Sequence, residues 1–140
     1  INKDKVATVK IVKAFSEIEK GAKIRKWEDF EKNIPIKKTT ANVEATVLTG
    51  FDPVVFLGEG HLIFIDKGSK AGLETGSMLT VYKKSDGSAN LSEKERAKIP
   101  YEIVGEVVVI KASENASTAL ITKSLVGIER GDLLKSGGSN

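Results

Sequence analysis

Between residues 42 and 50 the chain alternates, with Val43, Ala45 and Val47 set against Asn42, Glu44 and Thr46. A period of two marks a strand with one face buried. Four more runs rich in β-branched and aliphatic residues follow: "HLIFID" at 61–66, "SMLTVYKK" at 77–84, "IVGEVVVIKA" at 103–112 and "ASTALITKSL" at 116–125. Each is bounded by Gly, Asp, Asn or Ser, residues that favour turns. The stretch 107–110 is apolar at successive positions, which predicts a strand covered on both faces. "ATVKIVKA" at 7–14 predicts a further strand, and "ASENAS" a short hairpin loop. Asp66 with Gly68 reads as hairpin-turn chemistry. About seven strands, few helices and tight glycine turns define a mainly β fold, a small β-barrel or sandwich. Its building block is a strand–Gly-turn half-module, with one or two short helical turns added.

One phrase recurs three times: "EIEKGAKI" at 17–24, "GLETGSML" at 72–79 and "GIERGDLL" at 127–134. Each places an aliphatic residue, Glu, a variable residue and Gly ahead of a new strand. Gly21, Gly76 and Gly131 are the expected turn residues, since glycine adopts positive φ without a Cβ clash. Gly68 and Gly72 are assigned to turns as well. Ile18, Leu73 and Ile128 are the expected core plugs beneath the turns. The leads into the first and third copies match at Thr8/Thr118, Ile11/Ile121, Lys13/Lys123, Ile18/Ile128 and Glu19/Glu129. The middle copy has a different lead.

This pattern divides the chain into residues 1–26, the back half of a preceding β unit, and a main β-domain at 43–135. Residues 27–42 form a linker with a short helical turn, in which Trp27, Phe30 and Ile34 fall at helical spacing before Pro35. Trp27 and Phe30 are candidate anchors of that linker, or an interaction surface. Residues 136–140 read as a disordered tail. The opening at Ile1, with no initiator Met and no signal-like segment, is what an excised piece of a longer protein would show. Val9, Ile11, Phe15, Ile18 and Ile24 require a partner surface, at roughly 1.5–3 kcal/mol for each large side chain buried. They dock on the main domain or pair with another copy of the chain. A polar stretch at 85–100 admits two readings, a functional loop or a solvated insertion. Within it, Ser92 and Glu95 have the spacing of a capping box that starts a short helix.

The charge balance adds little to this. The 22 basic and 19 acidic residues are interspersed, for a net charge of +3. No basic stripe with interleaved aromatics marks a nucleic-acid surface. No apolar run reaches the roughly 20 residues of a membrane span. The chain has no cysteine and a single histidine, His61. That composition gives no thiolate chemistry, no metal-ligand set and no catalytic triad. Catalytic residues, metal and cofactor are accordingly assigned as none. The carboxylates of Glu19, Glu74 and Glu129 are read as solvated turn residues rather than as cation ligands.

The run 56–84 followed by 104–134 resembles the β-rich C-terminal region of bacterial envelope proteins that carry a LysM module. It is also distantly similar to the C-terminal domain of flagellar assembly protein T. The resemblance rests on Ile65 to Gly68, Gly72-Leu73, Gly76, Val81-Tyr82, Gly105-Glu106, Thr118-Ala119 and Ile128 to Asp132. Residues 8–24 fit the same pattern, with Ala22 where Asp is preferred. The resemblance implies a non-catalytic scaffold or interaction domain of an exported bacterial protein. It implies an extracytoplasmic location, periplasmic or associated with the outer envelope, and protein partners in the envelope. Peptidoglycan would be bound only by a LysM module outside this chain. Two alternatives stand beside it: a β-barrel module of a cell-shape, secretion or flagellar assembly scaffold, and a glycan-binding accessory domain. A homo-oligomer through residues 1–26 is the remaining partner expectation.

Overall fold

The computed structural model describes residues 7–14, 17–26, 33–85 and 91–137. The chain forms two compact units, Ile1–Glu31 and Lys32–Asn140. The second is a closed antiparallel barrel of six strands: β1 (Glu44–Gly50), β2 (Leu62–Ile65), β3 (Met78–Lys84), β4 (Tyr101–Ala112), β5 (Ser117–Ser124) and β6 (Leu133–Lys135). The order around the barrel is β1-β2-β5-β4-β3-β6. Alternation along each strand sends one set of side chains inward. Val47, Ile63, Ile65, Leu79, Val81, Val107, Val109, Ile121 and Leu134 are all buried there. Val108 is buried on the outer face too, between its cross-strand neighbours Met78 and Leu120. The apolar run at 107–110 thus reflects a doubly covered strand.

The strand order encloses a pseudo-twofold axis. Gly76 N–H donates to Val109 O (2.7 Å), and Val109 N–H donates to Ser77 O (2.9 Å). Gly131 N–H donates to Val47 O (2.9 Å), and Val47 N–H donates to Asp132 O (3.0 Å). Val47 of β1 and Val109 of β4 are therefore equivalent, as are the two turns. The registers agree: Ala45 faces Leu134, and Val107 faces Leu79. Rotation carries β1, β2 and β3 onto β4, β5 and β6. The third strand of each half pairs with the first strand of the other half, so the two halves interlock.

The repeated phrase is the device that makes this turn. Ser77 N–H donates to Glu74 O (3.0 Å), and Glu74 N–H donates to Ser77 Oγ (3.0 Å). In the third copy Asp132 N–H donates to Glu129 O (3.2 Å), and Glu129 N–H donates to Asp132 Oδ2 (2.9 Å). Both turn glycines have φ of +94°. Leu73 and Ile128 plug the two ends of the core, at 2% and 0% exposure.

The first copy departs from expectation. Gly21 has φ of +97°, and Ala22 N–H closes the same turn on Glu19 O (3.2 Å). Ala22 has no side-chain oxygen to return to Glu19. Among the described residues of this unit there is no strand, so the one expected at 7–14 is not formed. Ile18 is 55% exposed rather than a core plug. A strand needs a neighbour for its backbone groups. Trp27, Phe30 and Phe15 lie outside the described residues, as does most of the expected linker helix.

Three further expectations change. Asp66 and Gly68 do not form a hairpin, because β2 pairs with β1 and β5 rather than with β3. Asp66 Oδ1 instead accepts from Thr46 N–H (2.7 Å). Gly68 has extended φ of −141° before a 3-10 turn at Ser69–Ala71, and a Cβ there would stand 2.0 Å from Ser113 O. Its role is close approach, not positive φ. Gly72, in contrast, ends that 3-10 turn at φ of +94°, as a turn glycine should. The barrel unit also extends past 43–135. Lys37 bridges Ser77 in parallel, and Ser136 is buried with its hydroxyl between Val43 N–H (2.8 Å) and Ala41 O (2.6 Å). Ser136 is therefore part of the barrel seam rather than of a tail. The expected capping box is present: Glu95 Oε2 accepts from Ser92 N–H (2.9 Å) and Ser92 Oγ (2.7 Å) at the start of α1 (Glu93–Ala97).

Candidate functional site: the apolar end of the barrel

At the barrel end where β4 starts and β5 finishes, two loops carry large apolar side chains into water. The β1–β2 loop contributes Phe51, Val54, Val55 and Phe56, and the β5–β6 loop contributes Leu125 and Val126. Ile103 of β4 is exposed beside them. The loops are held to each other by backbone. Leu57 N–H donates to Ile128 O (2.9 Å) and Ile128 N–H to Leu57 O (2.8 Å). Leu57 and Ile128 point into the core, which forces their chain neighbours Phe56 and Gly127 towards the surface. Gly127 leaves room for the Phe56 ring, since a Cβ there would stand 2.8 Å from Phe56 Cδ1. Leu125 N–H donates to Val104 O (2.8 Å), which sets the second loop against β4.

A cleft of about 280 Å³ opens between these parts. Phe56, Val104 and Val126 give it apolar walls, and Lys84 and Glu102 add charge to its lining. Lys83 braces the floor: it is ion-paired with Glu129, donates to Gly127 O (3.0 Å) and lies 3.9 Å from Asp132. The Lys84 ammonium sits 5.0 Å over the Tyr101 ring and donates to Arg96 O (3.1 Å). Phe51 lies beside Phe64, with ring centroids 6.5 Å apart. Such an arrangement offers a fixed apolar seat with charged edges, suited to an apolar side chain presented by another molecule.

Of the residues singled out from the sequence, Ile128 and Glu129 border this end of the barrel, Ile128 through its bridge to Leu57 and Glu129 through Lys83. His61 tethers its own loop, with Gly58 N–H 3.0 Å from Nδ1 and His61 N–H donating to Gly58 O (3.1 Å). Within the barrel unit two of the repeated glutamates take separate lysines: Glu129 pairs with Lys83, and Glu74 pairs with Lys37 at 3.2 Å. Among the described residues no three His, Asp or Glu side chains gather as a metal site, and no helix is long and apolar enough to cross a membrane. Gly21, Gly72, Gly76 and Gly131 do occupy positive-φ positions. The sequence reading missed the loop "FDPVVF" at 51–56. Its signal is four large apolar residues around Asp52-Pro53, a pair that breaks strands, so their exposure follows from the break. Comparison with protein-family models, with curated proteins and with solved structures finds no match for this chain.

Proposed function

We propose that this chain is a non-catalytic interaction module that binds a protein partner through the apolar end of its barrel. The observation that carries the reading is Phe56 and Val126, held in water at the mouth of a cleft by the Leu57–Ile128 backbone bridge. Exposed apolar patches are unfavourable unless a partner covers them. Aromatic side chains in a well-supported seat are the usual centres of such contacts. The resemblance of residues 56–84 and 104–134 to LysM-associated domains supports a place in a bacterial envelope, beside a peptidoglycan-binding module that lies outside this chain.

The test is site-specific photocrosslinking in an envelope extract, with the probe at Phe56 and a control probe at Asn115 on the opposite hairpin. The expected result is a discrete protein adduct at position 56 only. The captured protein, once purified, should bind the chain with a Kd weakened at least tenfold by Val126→Asp. Adducts of equal yield at both positions, or retention by soluble glycan in place of any protein adduct, would overturn the reading.

A further inference from the structure

The exposed first copy of the repeat has a surface written into it. Aligned on Gly21 and Gly131, residues 7–26 correspond to residues 117–136, which form β5, the turn and β6. In the barrel the apolar inward positions of that segment are Ala119, Ile121, Ile128 and Leu134, each at 1% exposure or less, with Ser117 and Ser136 buried at its two ends. The counterparts of the apolar positions are Val9, Ile11, Ile18 and Ile24. All four are apolar, and all four are exposed, between 55% and 83%. The counterparts of outward Thr118, Thr122, Leu133 and Lys135 are Thr8, Val12, Lys23 and Arg25, three of them polar. The N-terminal segment therefore encodes a barrel wall, strand–turn–strand, that is not in a barrel.

The barrel also shows what such a wall pairs with. Across the pseudo-twofold axis β2 pairs with β5, and β3 pairs with β6. Each wall thus meets its own equivalent from the other half. Val47 faces Ile65 and Val109 faces Ala119, so Ile65 and Ala119 are equivalent, and with them Phe64 and Thr118. Phe64 faces Thr118 directly, which places this pair on the axis. We propose that residues 7–26 associate with the same segment of a second copy of this chain, reproducing the β2–β5 seam with a true twofold axis at Thr8. Thr8 then faces Thr8 of the other copy, and Val9, Ile11, Ile18 and Ile24 of both copies cover one another. This association is independent of the apolar cleft.

Charge sets its conditions. The segment holds Lys10, Lys13, Lys20, Lys23, Arg25 and Lys26 against Glu17 and Glu19. Thr80 faces Lys135 on the second seam, and the corresponding position is Arg25, so the axis sets Arg25 against its own copy. Like charges face to face oppose pairing, and salt screens them. The dimer accordingly tightens as ionic strength rises from a low value.

Because the chain has no cysteine, one can be introduced without interference. Thr8→Cys in the full 140-residue chain should oxidise to a disulfide-linked dimer. Lys13→Cys, farther along the strand from the axis, should stay largely uncrosslinked. Sedimentation of the unmodified chain at about 100 μM should give a mass near twice 15.1 kDa. Val9→Asp with Ile11→Asp should return it to monomer with the thermal midpoint of the barrel unchanged. A monomer at that concentration, equal crosslinking at positions 8 and 13, or a dimer that weakens with added salt would each overturn the proposal.

Discussion

Three glycines differ in why they are glycine, and substitution by alanine separates the reasons. Gly131 has φ of +94° and open space around the missing Cβ, so Gly131→Ala is expected to cost only the left-handed strain, about 1–2 kcal/mol. Gly76 has the same φ, but a Cβ would stand 2.2 Å from Pro35 O, and overpacking of roughly 1–3 kcal/mol adds to the strain. Gly68 has no φ strain, and its cost comes wholly from the Ser113–Ala116 hairpin pressed against it. Denaturant melts should rank Gly76→Ala as more damaging than Gly131→Ala; equal losses would show that Pro35 moves aside freely. The positive φ of Gly76 and Gly131 was legible in the sequence, because Glu-x-Gly between aliphatic residues is local turn chemistry. The role of Gly68 was not, because it depends on a hairpin some 45 residues away along the chain.

The same division holds among elements. The plugs Leu73 and Ile128 share a sequence pattern with Ile18, yet only the first two reach a core. Leu73→Ala and Ile128→Ala should each cost roughly 2–5 kcal/mol, the range for a large aliphatic side chain removed from a packed interior. Ile18→Ala should leave the melting of the barrel within about 0.5 kcal/mol, as an exposed change does. A loss at Ile18 as large as at Ile128 would mean that the first copy is packed like the third. Strand positions were readable from alternation, since burial on one face is a property of neighbouring residues. Strand partners were not, because the exchange of third strands between halves is fixed by distant registers such as Glu44 against Lys135. The short helix α1 was readable for the same local reason as the strands. Its cap lowers the pKa of Glu95 below the usual glutamate value, through hydrogen bonds to the Ser92 hydroxyl and backbone. A lowered folded-state pKa contributes stability above the unfolded value, which is lost as pH falls through the folded one. NMR titration should find Glu95 below the usual glutamate value, and Ser92→Ala should raise it.

For the whole molecule, Lys83 links the wall to the candidate cleft. It reaches from β3 to Gly127, Glu129 and Asp132, so it joins the turn of the second half to a strand of the first. Lys83→Met should cost about 1–3 kcal/mol, since it leaves the poorly exposed Asp132 carboxylate without this cation, and it should loosen the β5–β6 loop. Hydrogen exchange should then rise at Gly127 and Ile128 before it rises in β4; uniform exchange would remove Lys83 from that role. The apolar end itself was only half legible. "FDPVVF" advertises its apolar residues, but their position beside Leu125 and Val126 is created by closure of the barrel.

That closure bears on how the chain is made. β1 begins at Glu44 and has β6, ending at Lys135, as one of its two neighbours. On a ribosome, the first strand would emerge long before the strand that seals it, and the second half could not finish without the first. Until β6 leaves the exit tunnel, the nascent chain would carry an open sheet with two unpaired edges, the state in which strands recruit the wrong partners. Folding should therefore be a single late event. A chain stalled after Leu125 should remain sensitive to protease, and release of only ten further residues, through Lys135, should confer resistance in one step.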